Sequence, residues 1–431
     1  MKNGIEILRN DAAEFINTGS TINIVNPQSE VDFEGKHVIM GGTRLLDLTR
    51  LDYLALGSEK AIADIMMDCL GRSNFSCPAS QVVTKMSSNL KLEERLSRFH
   101  DMSATTMFLN GYAANENMLQ ALGFRLNTPH LLPYFIILGL REESRKMPTI
   151  FFVDGESHYS ARHGMQIANK HDPELCLIRQ FPSMDYEKLV QRLKRSYQTH
   201  GDEAVRVIVS DTISSLTGKI ADVGTLCQIA SEYDCLLYLD EAHAVGAFGP
   251  QGKGVAGTFP EFYRHRDRVM IMGTLTKTFC QIGGYVAMPD ESLNQFLRIC
   301  CPQYIFSAPL PPWMANAAVR IIDQISGDFG EAKRKKLGHV SQYLRKELNS
   351  KGFNTLGSES HIIPVLIGQE DTSTLVKEYL LEKGLAAALF IYPAVPRGES
   401  TIRMSLCADV EEDEAEYIVD CFQKARDKFH F

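Results

Sequence analysis

Between about residues 90 and 300 the chain alternates short apolar runs with stretches of helical period, and this alternation narrows the fold more than any other feature. "KLEERLSRFH" reads as helix, "ATTMFLN" as strand, "YAANENMLQAL" as helix and "TIFFVDGE" as strand. "YEKLVQRLKRSY", "AVRVIVSD", "VGTLCQIASEY" and "CLLYLDEAH" continue the alternation. Apolar strands separated by helices belong to a parallel sheet covered on both faces. Beyond about 315 the pattern changes. Helices over roughly 312–326 and 331–350 precede "HIIPVLIG", a helix near 372–383, "LAAALFIY", "STIRMSLCA" and a closing helix from about 411 to 427. The organisation expected is an N-terminal arm at 1–50 (a short helix, then strand, turn and strand in "HVIMGGTRLLDLT"), a large α/β domain at 51–311 and a small C-terminal α+β domain at 312–431.

A chain of 431 residues has room for that arrangement. Its formal net charge of −8 argues against a nucleic acid or an anionic membrane as partner. Ten cysteines are scattered without a CxxC pair, the pattern of reduced thiols in a cytoplasmic protein. The N-terminus is polar and broken by charges, unlike a signal peptide. The most apolar run, "HLLPYFIILGL" at 130–140, is too short to span a bilayer and carries a proline.

The chemistry collects where strands end. "CLLYLDEAH" breaks from apolar strand into Asp240 and then His243, and "AVRVIVSD" ends in Asp211. In open α/β sheets ligands sit beyond the carboxyl ends of the strands. "FLNGYAANENMLQALG" passes from strand to helix through Asn110, Gly111 and Tyr112, a helix start able to bind an anion. "FFVDGESHYS" repeats that geometry and presents His158. "MGTLTKTFCQIGGYVAM" holds Lys277 among threonines, glycines and small apolar residues with no carboxylate beside it. A helicase ATPase, suggested by the string Asp-Glu-Ala-His, would need G-x-x-x-x-G-K-[ST], and "GPQGKGVAG" lacks the hydroxyl. A lysine for an imine, an aspartate at a strand end, a phosphate cradle and a histidine together suit pyridoxal 5'-phosphate.

These motifs resemble the α-oxoamine synthases, fold-type I pyridoxal phosphate enzymes that join an amino acid to an acyl thioester with loss of CO₂. The resemblance runs from "LDYLALG" at 51–57 to "STIRMSLCADV" at 400–410, and is most specific in "LDEAHAVGAFGPQGKGVAG" and "GTLTKTFCQIGGYV". It implies a mostly parallel large sheet and Lys277 as Schiff-base lysine and general base. It further implies Asp240 as partner of the pyridine nitrogen, His243 and Ser215 at the ring oxygen, and His158 stacked on the ring. Gly111, Tyr112, Thr274 and Thr276 would hold the phosphate, and Arg403 the substrate carboxylate. "IFSAPLPP" at 305–312 resembles a segment that reaches a partner subunit's site, with Ser307 a candidate there, and so implies a homodimer.

The chain departs from that family in three places. Asp52 stands where asparagine is usual beside the substrate carboxylate. "CPASQVV" lacks an arginine that many members carry, and an apolar segment is inserted around Leu131–Arg145. The first two differences, with "LDYLALG" and "SESHIIPVLIG", resemble the bacterial α-hydroxyketone autoinducer synthases most. The expected activity is condensation of an amino acid or S-adenosylmethionine with a medium- or long-chain acyl thioester, carried on CoA or acyl carrier protein. A serine palmitoyltransferase-like activity is the alternative within the class. A non-catalytic regulatory member is the alternative outside it, although such subunits lose the lysine that this chain keeps.

Overall fold

The computed structural model describes residues 4–21, 31–73, 76–78, 80–138, 143 and 146–431. Its centre is a seven-stranded sheet. The spatial order is Ala104–Phe108, Gly284–Met288, Val269–Thr274, Leu236–Asp240, Val205–Asp211, Thr149–Asp154 and Cys176–Phe181. Six of these strands point the same way, and Gly284–Met288 runs antiparallel to both its neighbours. Buried side chains fill Thr149–Asp154 and Val269–Thr274 on both faces, which is why they read as unbroken apolar runs. Two strands carry no clear strand pattern in the sequence, for opposite reasons: "CLIRQF" is half exposed, and Gly284–Met288 lies in a glycine-rich stretch.

Helix Gly111–Phe124 follows the edge strand Ala104–Phe108 and packs along helix Tyr159–His171, which follows Thr149–Asp154. The helices expected after residue 312 run over Pro312–Ser326, Asp328–Ser350, Glu370–Glu382 and Glu412–Phe429. Helix Pro312–Ser326 packs back onto helices Lys60–Arg72 and Ser87–His100. A three-stranded antiparallel sheet joins Ile362–Gly368, Ser400–Ser405 and Ala388–Phe390. The strands at 31–34, 37–40 and 43–47 form a four-stranded sheet with Leu385–Ala386, so "LAAALFIY" divides between two sheets.

The inserted segment forms helix Leu132–Ile137, with Pro133 at its first turn. Proline there starts a helix without cost, since that amide has no helical partner. Phe135 is buried against Phe296, while Tyr134, Ile136, Ile137 and Leu138 face outward. Residues 139–142 and 144–145 of the segment, and Ala79 of "CPASQVV", lie outside the described residues. No described helix is long and apolar enough to cross a membrane.

Candidate active site

Asp240 and Asp211 end neighbouring strands in register, so two carboxylates meet at the carboxyl edge of the sheet. Both line a pocket of about 220 Å³ together with Gly111, Tyr112, Asn115, His158, His243, Thr274, Thr276 and Lys277. Asp240 is held from two sides: its Oδ1 accepts from the Ala242 amide at 2.9 Å and its Oδ2 from Asn115 Nδ2 at 2.7 Å. Asn115 is fully used, because it also donates to Ser160 Oγ at 3.0 Å and accepts from Tyr238 Oη at 2.9 Å. Asp211 is buried beside this charge, and desolvation followed by repulsion from Asp240 raises its pKa well above the ordinary range.

Lys277 sits in the loop between strands Val269–Thr274 and Gly284–Met288. Leu275 and Phe279, both fully buried, pin the loop on either side of it. Its half-buried amine lies 2.8 Å from His243 Nε2. Desolvation lowers its pKa to about 8, against the opposing pull of Asp240 and Asp211 and with a further push from Arg403. An amine of that pKa is substantially neutral near pH 8 and so able to attack a carbonyl. His243 is itself pushed well below the usual imidazole value, first by burial and then by Lys277 and Arg403. His158 caps helix Tyr159–His171, its Nδ1 accepting from the Ser160 amide at 3.2 Å and lying 2.7 Å from Ser160 Oγ. Ser160 therefore links His158 to Asn115 and Asp240.

The other end of the pocket is built to bind an oxyanion. Asn110 caps helix Gly111–Phe124 through the Ala113 amide, which leaves the Gly111 and Tyr112 amides at the helix start without helical partners. A Cβ at position 111 would come within 3.0 Å of Thr274 Cβ, so only glycine lets the helix start approach this strand end. Thr274 and Thr276 pair their hydroxyls at 2.9 Å on the same rim.

A profile of the family described as aminotransferase class I and II matches residues 174–422. The chain belongs to that family. Among other members, it is 28% identical over 401 residues to 8-amino-7-oxononanoate synthase of Gluconacetobacter diazotrophicus, covering 92% of both chains. It is 28% identical over 389 residues to mitochondrial 5-aminolevulinate synthase of Eremothecium gossypii, covering 86% of this chain and 63% of that one. The structure of Sphingomonas wittichii serine palmitoyltransferase superposes with a TM-score of 0.82 at 23% identity, over 100% of this chain and 99% of that one. The fold of this family member is that of the fold-type I pyridoxal phosphate transferases. Its pocket fits the cofactor on its own terms: an amine opposite a fixed carboxylate, a histidine between them, and a helix start with two hydroxyls for a phosphate.

Three expected site residues do not line the pocket. Ser215 does not line the pocket; its carbonyl accepts from Arg403 Nη1 at 2.7 Å. Arg403 stands outside the lining too, with its guanidinium over the Phe390 ring at 4.8 Å, yet close enough for its charge to act on Lys277 and His243. Asp52 does not line the pocket. Its Oδ1 accepts from the Leu56 amide and its Oδ2 from the Gly57 amide, each at 2.8 Å, so the carboxylate closes a backbone turn. Asp211 and Asn115 belong to the pocket without having been selected as site residues. The signal for Asn115 was present, an asparagine one helical turn after Gly111 on the same face. Its partner, 125 positions away in Asp240, was not.

Proposed function

We propose that the chain is a pyridoxal-phosphate-dependent acyltransferase that condenses an amino acid with an acyl thioester, loses CO₂ and releases an aminoketone. The observation that carries this reading is the Lys277–His243 contact at 2.8 Å, in one pocket with Asp240. The synthase relatives support it. When bound, the cofactor supplies a protonated pyridine ring that takes up the electron pair freed at the donor's α-carbon. Asp240, aligned by Asn115, holds the proton at the ring nitrogen. Lys277 Nζ binds the cofactor between turnovers, and it takes the α-proton of the amino donor and returns it. His243 donates from Nε2, and His158 covers a face of the ring. The Gly111 and Tyr112 amides and the Thr274 and Thr276 hydroxyls bind the phosphate. Arg403, steadied on the Ser215 carbonyl, turns its planar fork to the donor's carboxylate.

Within this class we favour a medium- or long-chain product that becomes an α-hydroxyketone autoinducer, with 2-aminobutyrate or S-adenosylmethionine as donor. The support is the likeness of "LDYLALG" and "SESHIIPVLIG" to such synthases and the missing arginine in "CPASQVV". Asp52 lends no support, since its charge is spent on backbone amides. The second reading, a sphingoid-base synthase, is favoured by the full-length superposition on serine palmitoyltransferase. A homodimer suits the segment at 305–312, where Phe306 is 71% exposed. The outward apolar face of helix Leu132–Ile137 suits an acyl chain, each buried methylene contributing ~0.8 kcal/mol. The proposal places the enzyme in the cytoplasm. The experiment offers purified protein acyl-CoA and acyl carrier protein thioesters with serine, glycine, alanine, 2-aminobutyrate and S-adenosylmethionine, and identifies products by mass spectrometry. A dominant serine product selects the second reading, and no condensation with any pair overturns the activity.

A further inference from the structure

We propose that Tyr53 is a positioning residue that fixes the proton of His243 on Nε2, the ring nitrogen facing Lys277. Tyr53 is fully buried and is absent from the pocket lining, so it acts through the histidine alone. Its hydroxyl lies 2.6 Å from His243 Nδ1, while His243 Nε2 lies 2.8 Å from Lys277 Nζ. A neutral imidazole carries one proton, and the two nitrogens compete for it.

Two arrangements are conceivable, and burial separates them. With the proton on Nδ1, the imidazole donates to the Tyr53 oxygen, and the phenol's own hydrogen is left without an acceptor among the described residues. A buried, unpaired hydroxyl is costly. With the proton on Nε2, the phenol donates to Nδ1 and the imidazole donates to the Lys277 amine, so the phenol and imidazole hydrogens both have acceptors. The second arrangement needs a protonated phenol, a neutral imidazole and an amine with a free lone pair. Burial holds the Tyr53 proton far above its ordinary range, drives His243 well below its own, and lowers Lys277 to about 8. The first two conditions hold at neutral pH, and the third is met as the pH rises past about 8.

The phenol is held in place by parts that have no other evident use. His361 packs on the Tyr53 ring with centroids 4.0 Å apart. The Tyr53 carbonyl accepts from the Ala408 amide at 2.8 Å. Asp52 caps the Leu56 and Gly57 amides, and Ala55 takes the left-handed conformation that the turn requires, with φ of 54°. Asp52 therefore serves the site at one remove: it shapes the turn that presents Tyr53. The inference rests on the proposed chemistry only for its effect on turnover, because the tautomer is a property of this chain.

The test is ¹⁵N NMR of histidine-labelled full-length protein above pH 8, before and after loading with pyridoxal phosphate, in wild type, Tyr53→Phe and His361→Phe. The expected wild-type spectrum shows His243 protonated on Nε2 with Nδ1 as acceptor. Tyr53→Phe should shift the population toward Nδ1–H and move the pH midpoint of the cofactor's visible band. It should also lower kcat about tenfold or more, in the range for residues that orient another ligand, with the donor KM unchanged. His361→Phe, which keeps a ring against Tyr53, should leave the tautomer as in wild type. A wild-type His243 protonated on Nδ1 overturns the inference even if Tyr53→Phe fails to fold, as does an unchanged tautomer in folded Tyr53→Phe. A protein that shows the Nε2–H tautomer yet condenses no substrate pair sinks the proposed activity and leaves this inference standing.

Discussion

A cleft of about 670 Å³ runs along helix Tyr186–His200, and the site pocket of about 220 Å³ lies at the carboxyl edge of the same sheet. The larger cleft is lined by Lys188, Arg192, Arg195 and His200 from the helix and by Arg179 from the edge strand. Lys188, Arg192 and Arg195 are exposed, and among the described residues neither they nor Arg179 form an ion pair. Water screens the exposed charges of this cleft. In the smaller pocket, acids, an amine and imidazoles of mixed sign share desolvated space, and Lys277, His243 and Asp211 are all pushed from their ordinary values. Size and net charge do not make this site; opposed groups removed from water do.

Substitutions on both sides can break that contrast. Lys277→Ala should remove covalent attachment altogether: borohydride reduction of the wild-type holoenzyme should leave the pyridoxyl label on Lys277, and the variant should carry none. A label on any other lysine would dismantle the assignment. Asp240→Asn should keep the fold and lower turnover on the order of 10²- to 10⁴-fold, the span for a lost proton-handling group; near-normal turnover would mean that Asp211 holds the ring proton instead. Arg403→Lys should raise the donor KM about tenfold, since a point charge replaces a planar fork. A rise confined to the thioester KM would move Arg403 to the acyl side.

The pH dependence sharpens the contrast next. An amine attacks when deprotonated, so the rate at which cofactor-free protein reloads pyridoxal phosphate should climb with pH and level off near 8, the value to which Lys277 is lowered from 10.5. A climb that continues past 10 would show that the lysine is solvated. The smallest effect belongs to the larger cleft. Arg192→Gln with Arg195→Gln should leave turnover unchanged and stability within about 0.5 kcal/mol, as for surface substitutions generally. A loss of turnover there would give that cleft a role in substrate delivery and end the comparison as drawn.

Much of this architecture was legible because buried parallel strands announce themselves as apolar runs and end abruptly in polar residues. "CLLYLDEAH" and "AVRVIVSD" placed Asp240 and Asp211 at strand ends, and the neutral surroundings of Lys277 marked it as a lysine without a carboxylate partner. The half-exposed strand Cys176–Phe181 and the antiparallel strand Gly284–Met288 carry no such pattern. The hydrogen bonds of Asp52 were hidden from the sequence for a different reason. A carboxylate two to five residues before free amides can satisfy them, and only backbone geometry tells whether it does.

Local sequence determined which segments become strands and helices, and which residue types stand where strands end, because burial period and capping act over a few residues. The placement of Asn115 on Asp240 and of Tyr53 on His243 was decided only when helix, turn and strand packed together. Those contacts join positions 125 and 190 residues apart. A hydrogen bond at that separation depends on the relative placement of whole elements, which no local pattern encodes. Desolvation follows the same rule: the lowered pKa of Lys277 comes from what surrounds it in space, not from its neighbours along the chain.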